Sequence, residues 1–151
     1  MRLVVQRVNN AQVSIENSVF SSIGVGLLVF LGIHSTDSKE DVTYLVQKVC
    51  ALRIFGDENQ RMNLSVQDIK AEILLVSQFT LYASTKKGNR PSFLASAPPT
   101  MAIPLYQLFI SELEEYLGKE KIKTGVFGAD MKINLENNGP VTICIDSKNK
   151  E

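Results

Sequence analysis

Apolar and polar positions alternate through the first third of the chain, in "RLVVQRV", "AQVSIE" and "VFSSI", and then fuse into the unbroken run "VGLLVFLGI" from Val25 to Ile33. Alternation with a period of two predicts half-buried strands, and the fused run predicts a strand buried on both faces. Asn9-Asn10 and Glu16-Asn17-Ser18 supply turn chemistry between them, so consecutive antiparallel neighbours are expected. Beyond Ser38 the period changes. Val42, Leu45, Val46 and Val49 recur at i, i+3, i+4 and i+7, with Ser38 and Asp41 placed as a capping pair, which predicts an amphipathic helix. "LRIF" predicts a short strand, "GDENQRMNLSVQDIK" a polar loop, and "AEILLVSQFTLY" a central strand from its β-branched and aromatic content.

Next, "ASTKKGNRPSFLASAPP" predicts an exposed loop, long enough to suggest a function. Leu105, Leu108, Phe109, Leu113, Tyr116 and Leu117 form the stripe of a second helix, which Gly118 is suited to end and whose start Pro104 limits. "TGVFGADMKINLE" and "VTICID" close the chain as strands on either side of "NNGPVT". No repeat or linker interrupts the pattern. A chain of 151 residues fits one domain, residues 1–151, and the expected class is α+β, a mostly antiparallel sheet with two main amphipathic helices.

Composition narrows the class. Apolar residues make up 44% and charged residues 21%, ordinary for a folded soluble protein and unlike a disordered or fibrous one. Sixteen basic side chains balance sixteen acidic ones, so no broad field steers nucleic acid, and an RNA partner must be met by a local patch. "MRLVVQRV" lacks the basic start, apolar run and cleavage site of a secretory signal. The run from Val25 to Ile33 is about half of the roughly 20 residues a membrane helix needs. Cys50 and Cys144 stand far apart and His34 is the only histidine, which leaves too few ligands for zinc; a cytoplasmic setting without metal or membrane is expected.

Side chains suited to acid–base or nucleophilic work are scarce. His34 precedes "STDS" and reads as a strand-end histidine with a satisfied hydrogen bond. The cysteines read as small buried hydrophobes without a histidine partner, and Glu114-Glu115 as a solvated helix face. "IGVGLL" lacks the third glycine, the lysine and the following helix of a phosphate loop. An enzyme built from this chain therefore uses backbone groups, hydroxyls, or a group that the substrate brings.

Two stretches fit such an enzyme. "VSQFTLY" sets Ser77, Gln78 and Thr80 at a strand end before a long loop, where scaffolds present working groups. It reads as a plain core strand, as a Thr80 nucleophile for which no base is implied, or as a source of N–H groups and hydroxyls for a developing oxyanion. "NNGPVT" reads as an Asn-Gly hairpin or as a Gly-Pro bond held cis, and the sequence does not choose.

Taken together, "SQFTLY", "NNGPVT", "TKKGNRPSF", "APP" before the second helix, "FGADM" and "VVQRV" resemble the D-aminoacyl-tRNA deacylase family, over Met1 to about Asp146. The resemblance implies a barrel-like core and a cytoplasmic homodimer without cofactor. It implies hydrolysis of the ester joining a D-amino acid, or glycine mischarged on alanine tRNA, to tRNA. Ser77, Gln78, Phe79 and Thr80 would lie beside the ester. Gly139 and Pro140 would form a cis element entering the facing subunit's pocket, holding the substrate ammonium with carbonyl oxygens and excluding an L side chain. Arg7 would support that element and Met131 would line the pocket. The 2′-hydroxyl of the terminal adenosine would assist hydrolysis, with the protein supplying position and oxyanion stabilisation. Lys86, Lys87 and Arg90 would meet acceptor-stem phosphates, unless they form only a solvated loop. Ser77 and Phe79 match the D-specific branch, whose sibling carries Pro-Gln-Ala-Thr there. Outside this reading stand a small-molecule esterase using Thr80 and an RNA-binding module without turnover.

Overall fold

A computed structural model describes residues 1–150. The chain runs through β1 (Arg2–Ile15), β2 (Ser18–Ile23), β3 (Gly26–Gly32), α1 (Lys39–Ala51), β4 (Phe55–Gly56), β5 (Met62–Leu64), β6 (Glu72–Ser77), α2 (Pro99–Leu117), β7 (Ile122–Thr124) and β8 (Lys132–Asp146). A six-stranded, nearly closed, barrel-like sheet follows the order β2-β1-β3-β6-β7, with β8 on β1. The expected α+β class holds. Pairings with β1 are antiparallel, whereas β6 runs parallel to β3 and to β7. Parallel neighbours need a crossover, and α1 and α2 supply the two.

Burial follows the strand period. Leu27, Val29 and Leu31 of β3, with Ile73 and Leu75 of β6, pack with Val42, Leu45, Val49, Phe109 and Leu113 of the helices. The alternate residues Leu28, Leu74 and Val76 join Val8, Ala11 and Val13 of β1 on the opposite face. Both faces of β3 are covered, which is why its run carries no polar alternation.

Several boundaries differ from the pattern. "RLVVQRV" and "AQVSIE" are one strand, β1, and Asn9-Asn10 is not a turn. The Asn9 and Asn10 amides instead donate to the Glu136 carboxylate on β8, at 2.6 and 3.2 Å, which offsets their preference for turns. Glu16 and Asn17 do form the next turn, with φ of 51° and 63°. β2 and β3 are not neighbours of each other: β2 pairs the second half of β1 and β3 the first. The polar loop contains β5, which pairs β4. The Asp41 carboxylate accepts the Ser38 N–H at 2.9 Å, as the capping pair requires. α2 begins five residues before Pro104, on Pro99 in its first turn, and Pro104 lies inside it. Its buried face includes Ala102 and Tyr106, whereas Tyr116 is exposed. Gly118 ends it, with φ of 93° and its N–H donating to the Glu114 carbonyl at 2.9 Å. No helix among the described residues is long and apolar enough to cross a membrane.

Candidate active site

The central strand read from "AEILLVSQFTLY" stops at Ser77, and Phe79–Tyr82 is a single 3₁₀ turn. The Gln78 N–H makes the last bond to β3, to the Leu31 carbonyl at 2.8 Å. The turn then closes over Gly32. A Cβ there would stand 2.9 Å from Leu81 Cβ and 3.1 Å from the Gln78 carbonyl oxygen, so only a bare glycine admits the turn at this distance. Leu81 and Ala83 N–H groups donate back to Gln78 and Thr80 carbonyls at 3.2 and 2.9 Å. The Phe79 and Thr80 N–H groups open the turn and have no acceptor within it.

A cavity of about 310 Å³ lies against this turn. Ser77, Gln78, Phe79 and Met131 line it, so four of the residues singled out from sequence meet there. Phe127, Gly128, Ala129 and Asp130 complete one wall, and Ala97 and Ala102 another. "FGADM" thus contributes five lining residues where only Met131 was anticipated. Gly125 admits that wall, because a Cβ on it would collide with the Met131 sulfur. The alanines were not foreseen, since a methyl group signals no chemistry. Thr80 stands just outside the lining, where its hydroxyl accepts a hydrogen bond from Gln78 Nε2 at 2.5 Å.

Arg7, Gly139 and Pro140 do not line this cavity. They belong to a second feature. "NNGPVT" is not a connection between two strands but part of β8 itself. β1 pairs Gln6 with Thr142 and Val8 with Asn137, so a step of two residues on β1 faces a step of five on β8. Residues 138–141 have no partner in the ladder and bulge from it. The Gly139–Pro140 peptide within the bulge is cis, and both residues are exposed. Buried Val141 anchors one end. Arg7 anchors the other: its Nε donates to the Asn138 carbonyl at 3.2 Å, Nη2 to Asn138 Oδ1 at 3.0 Å, and Nη1 to the Ile54 carbonyl at 2.5 Å. Lys86, Lys87 and Arg90 are exposed on the loop between the 3₁₀ turn and α2.

The electrostatics offer no base–nucleophile pair. Asp130 is the titratable side chain in the lining, and it is exposed. His34 lies 5.0 Å from the Tyr82 ring, and its Nδ1 accepts the Thr36 N–H at 3.1 Å, as a strand-end histidine should. Burial pushes the Cys50 thiol up to about 12, so its thiolate is not available. Cys144, expected to be buried, is exposed. Burial also raises the Tyr106 phenol, whose hydroxyl donates to the Leu75 carbonyl at 3.0 Å. Among the described residues no group of three or more His, Cys, Asp or Glu is gathered to hold a metal ion.

What remains is a cavity against the Phe79–Tyr82 turn, lined mostly by small or apolar side chains together with Gln78 and Asp130, beside a strand that carries an exposed Gly-Pro bulge. Residues 4–146 match the model of the family described as D-Tyr-tRNA(Tyr) deacylase. A D-aminoacyl-tRNA deacylase of Flavobacterium psychrophilum is 57% identical over 151 residues, all of both chains. One of Cytophaga hutchinsonii is 58% identical, again over the whole of both. A solved structure titled c-Myc DNA Unwinding Element Binding Protein superposes with a TM-score of 0.92 at 41% identity, covering 97% of this chain and 98% of that one. Identity above one half over full length, together with the family match, places this chain in the D-aminoacyl-tRNA deacylase family of hydrolases.

Proposed function

We propose that this chain is a cytoplasmic, single-domain homodimer that releases the D-amino acid from D-aminoacyl-tRNA, and glycine from mischarged alanine tRNA, as a chiral proofreading step. One observation carries the reading: the cavity lies against the Phe79–Tyr82 turn, whose Phe79 and Thr80 N–H groups have no acceptor within the turn, while its lining holds no base–nucleophile pair and its carboxylate, Asp130, is exposed. Such a site suits a substrate that brings its own assisting group. The 2′-hydroxyl of the terminal adenosine fills that role, while the Phe79 and Thr80 N–H groups receive the charge that develops on the ester oxygen. Ser77 and Gln78 hold the ester at the cavity mouth, and Met131 closes the side-chain end.

Selection against L substrates falls to the bulge on β8. Gly139 and Pro140 are exposed and stand outside their own chain's cavity, so they are available to enter that of a second copy. There, carbonyl oxygens hold the substrate ammonium and the ring occupies the space of an L side chain. Arg7 fixes the bulge through Asn138. Lys86, Lys87 and Arg90 contact acceptor-stem phosphates and position the tRNA without reading its sequence. No cofactor takes part.

The test is release of labelled D-tyrosine and L-tyrosine from charged tRNA at low enzyme concentration. D-tyrosine alone should be released. No release of D-tyrosine above the buffer rate, or equal release of both, would overturn the reading.

A further inference from the structure

We propose that Ser96 is a positioning residue for the oxyanion donor at Thr80, and that the return limb of the long loop serves to hold it there. The inference rests on the deacylase reading and adds to it a residue outside the cavity's reacting surface.

Ser96 Oγ donates a hydrogen bond of 2.9 Å to the Phe79 carbonyl oxygen. That carbonyl and the Thr80 N–H belong to one peptide unit. The unit is planar, with C=O and N–H pointing in opposite directions, so a bond that fixes the oxygen also aims the N–H. A donor on the carbonyl polarises the unit as well, which strengthens the N–H at its other end. A four-residue turn has little rigidity of its own, and this bond ties it to the body of the protein.

The tie has a firm base. Ala97 N–H donates to the Ile33 carbonyl at 2.9 Å, and Ser35 N–H to the Ala95 carbonyl at 3.2 Å, so Ser96 is bracketed on both sides by the segment that directly follows β3. The same β3 supplies the Leu31 carbonyl that holds Gln78 N–H. Upstream, Ser84 and Ser92 exchange backbone bonds of 2.8 and 2.9 Å, which close the basic tip of the loop on itself and leave residues 93–97 as a separate limb. Phe93 on that limb meets the Phe79 ring edge-on at 5.1 Å. The limb therefore holds Phe79 at both its carbonyl and its ring.

Single-turnover release of D-tyrosine from tRNA tests this with Ser96→Thr, Ser96→Cys and Ser96→Ala. The hydroxyl of threonine donates as serine does, a thiol donates weakly, and alanine donates nothing. The limiting rate should stay within about threefold of wild type for Thr and fall about tenfold to a hundredfold for Ala, below the 10²–10³ of losing a whole oxyanion donor. Cys should lie between. Half-saturation and thermal midpoint should stay near wild type, because neither tRNA contact nor core is touched. An Ala variant at the wild-type rate would overturn the inference, as would losses that follow side-chain size, or that appear in half-saturation. A wild-type protein that releases no D-tyrosine would remove the deacylase reading and this inference with it, an outcome distinct from an active wild type matched by Ser96→Ala.

Discussion

Arg7 and Asn138 face each other across the break in the β1–β8 ladder, with two of the guanidinium's three hydrogen bonds going to Asn138 and the third to Ile54. The planar fork spans two segments, residue 54 and the bulge at 138–141. An ammonium on a flexible stem cannot span them in one geometry. Arg7→Ala should therefore lower stability by roughly 2 kcal/mol in urea unfolding, within the range for hydrogen bonds to a charged group. Arg7→Lys should recover only part of it. If the bulge is the chiral gate, both variants should also narrow the D-over-L rate ratio, measured with tyrosyl-tRNA of each hand.

Thr80 gives a sharper division between mechanisms. Its hydroxyl accepts from the Gln78 amide, and no histidine, lysine or carboxylate is among its hydrogen-bond partners. A hydroxyl at its ordinary pKa is a weak nucleophile. Thr80→Ala should accordingly keep activity within about tenfold of wild type, whereas loss of a nucleophile costs several orders of magnitude. Rapid-quench deacylation measures the difference, and mass spectrometry of the intact protein during turnover should find no acyl adduct.

Two glycines predict opposite kinds of damage. A Cβ on Gly26 would collide with the backbone carbonyl of Glu72, its partner in the parallel β3–β6 pair, and neither backbone can yield. Gly26→Ala should cost 3 kcal/mol or more, at or beyond the top of the roughly 1–3 kcal/mol of ordinary overpacking, and should show as loss of soluble protein or of thermal midpoint. At Gly125 the collision is with the Met131 sulfur, the flexible far part of a side chain. Gly125→Ala should fold with a small loss of midpoint, yet displace Met131 from the cavity wall and slow D-tyrosine release.

Periodic stretches carried most of the fold. The unbroken run of β3 announced a strand covered on both faces, and Ser38 with Asp41 marked the start of α1. Elements were misjudged where a distant partner overrides a local preference. Asn9 and Asn10 favour turns until Glu136 engages both amides. "FTLY" has strand composition, and its 3₁₀ form depends on Gly32, some fifty residues earlier in the chain. Asn-Gly-Pro chemistry is the same in a hairpin and in a bulge, so only the register of β8 against β1 tells them apart. Within the candidate site, "SQFTLY" and "FGADM" were legible as motifs. Ala97, Ala102 and Ser96 were not, because each matters through where the fold sets it rather than through a reactive group of its own.

Asp41 supplies a prediction in pH. Burial alone would raise its carboxyl, but hydrogen bonds from Lys148, Ser147 and the Ser38 N–H outweigh burial and hold it well below the usual carboxylate range. Lys148 Nζ stands 2.7 Å from Asp41 Oδ2 on a side chain that is nearly buried on the Asp41 side. The folded state thus binds the proton more weakly than the unfolded chain, whose aspartates titrate near about 3.9. The resulting stability is fully present above that value and is lost as pH falls below it toward the depressed folded value. Asp41→Asn should then be less stable than wild type by roughly 2 kcal/mol at pH 7, consistent with hydrogen bonds to a charged group. The gap should be unchanged at pH 5 and should close progressively below about pH 4. Urea unfolding of both proteins at pH 7, 5, 4 and 3 measures it, and a gap that stayed constant down to pH 3 would show that shape, not charge, carries the contribution of Asp41.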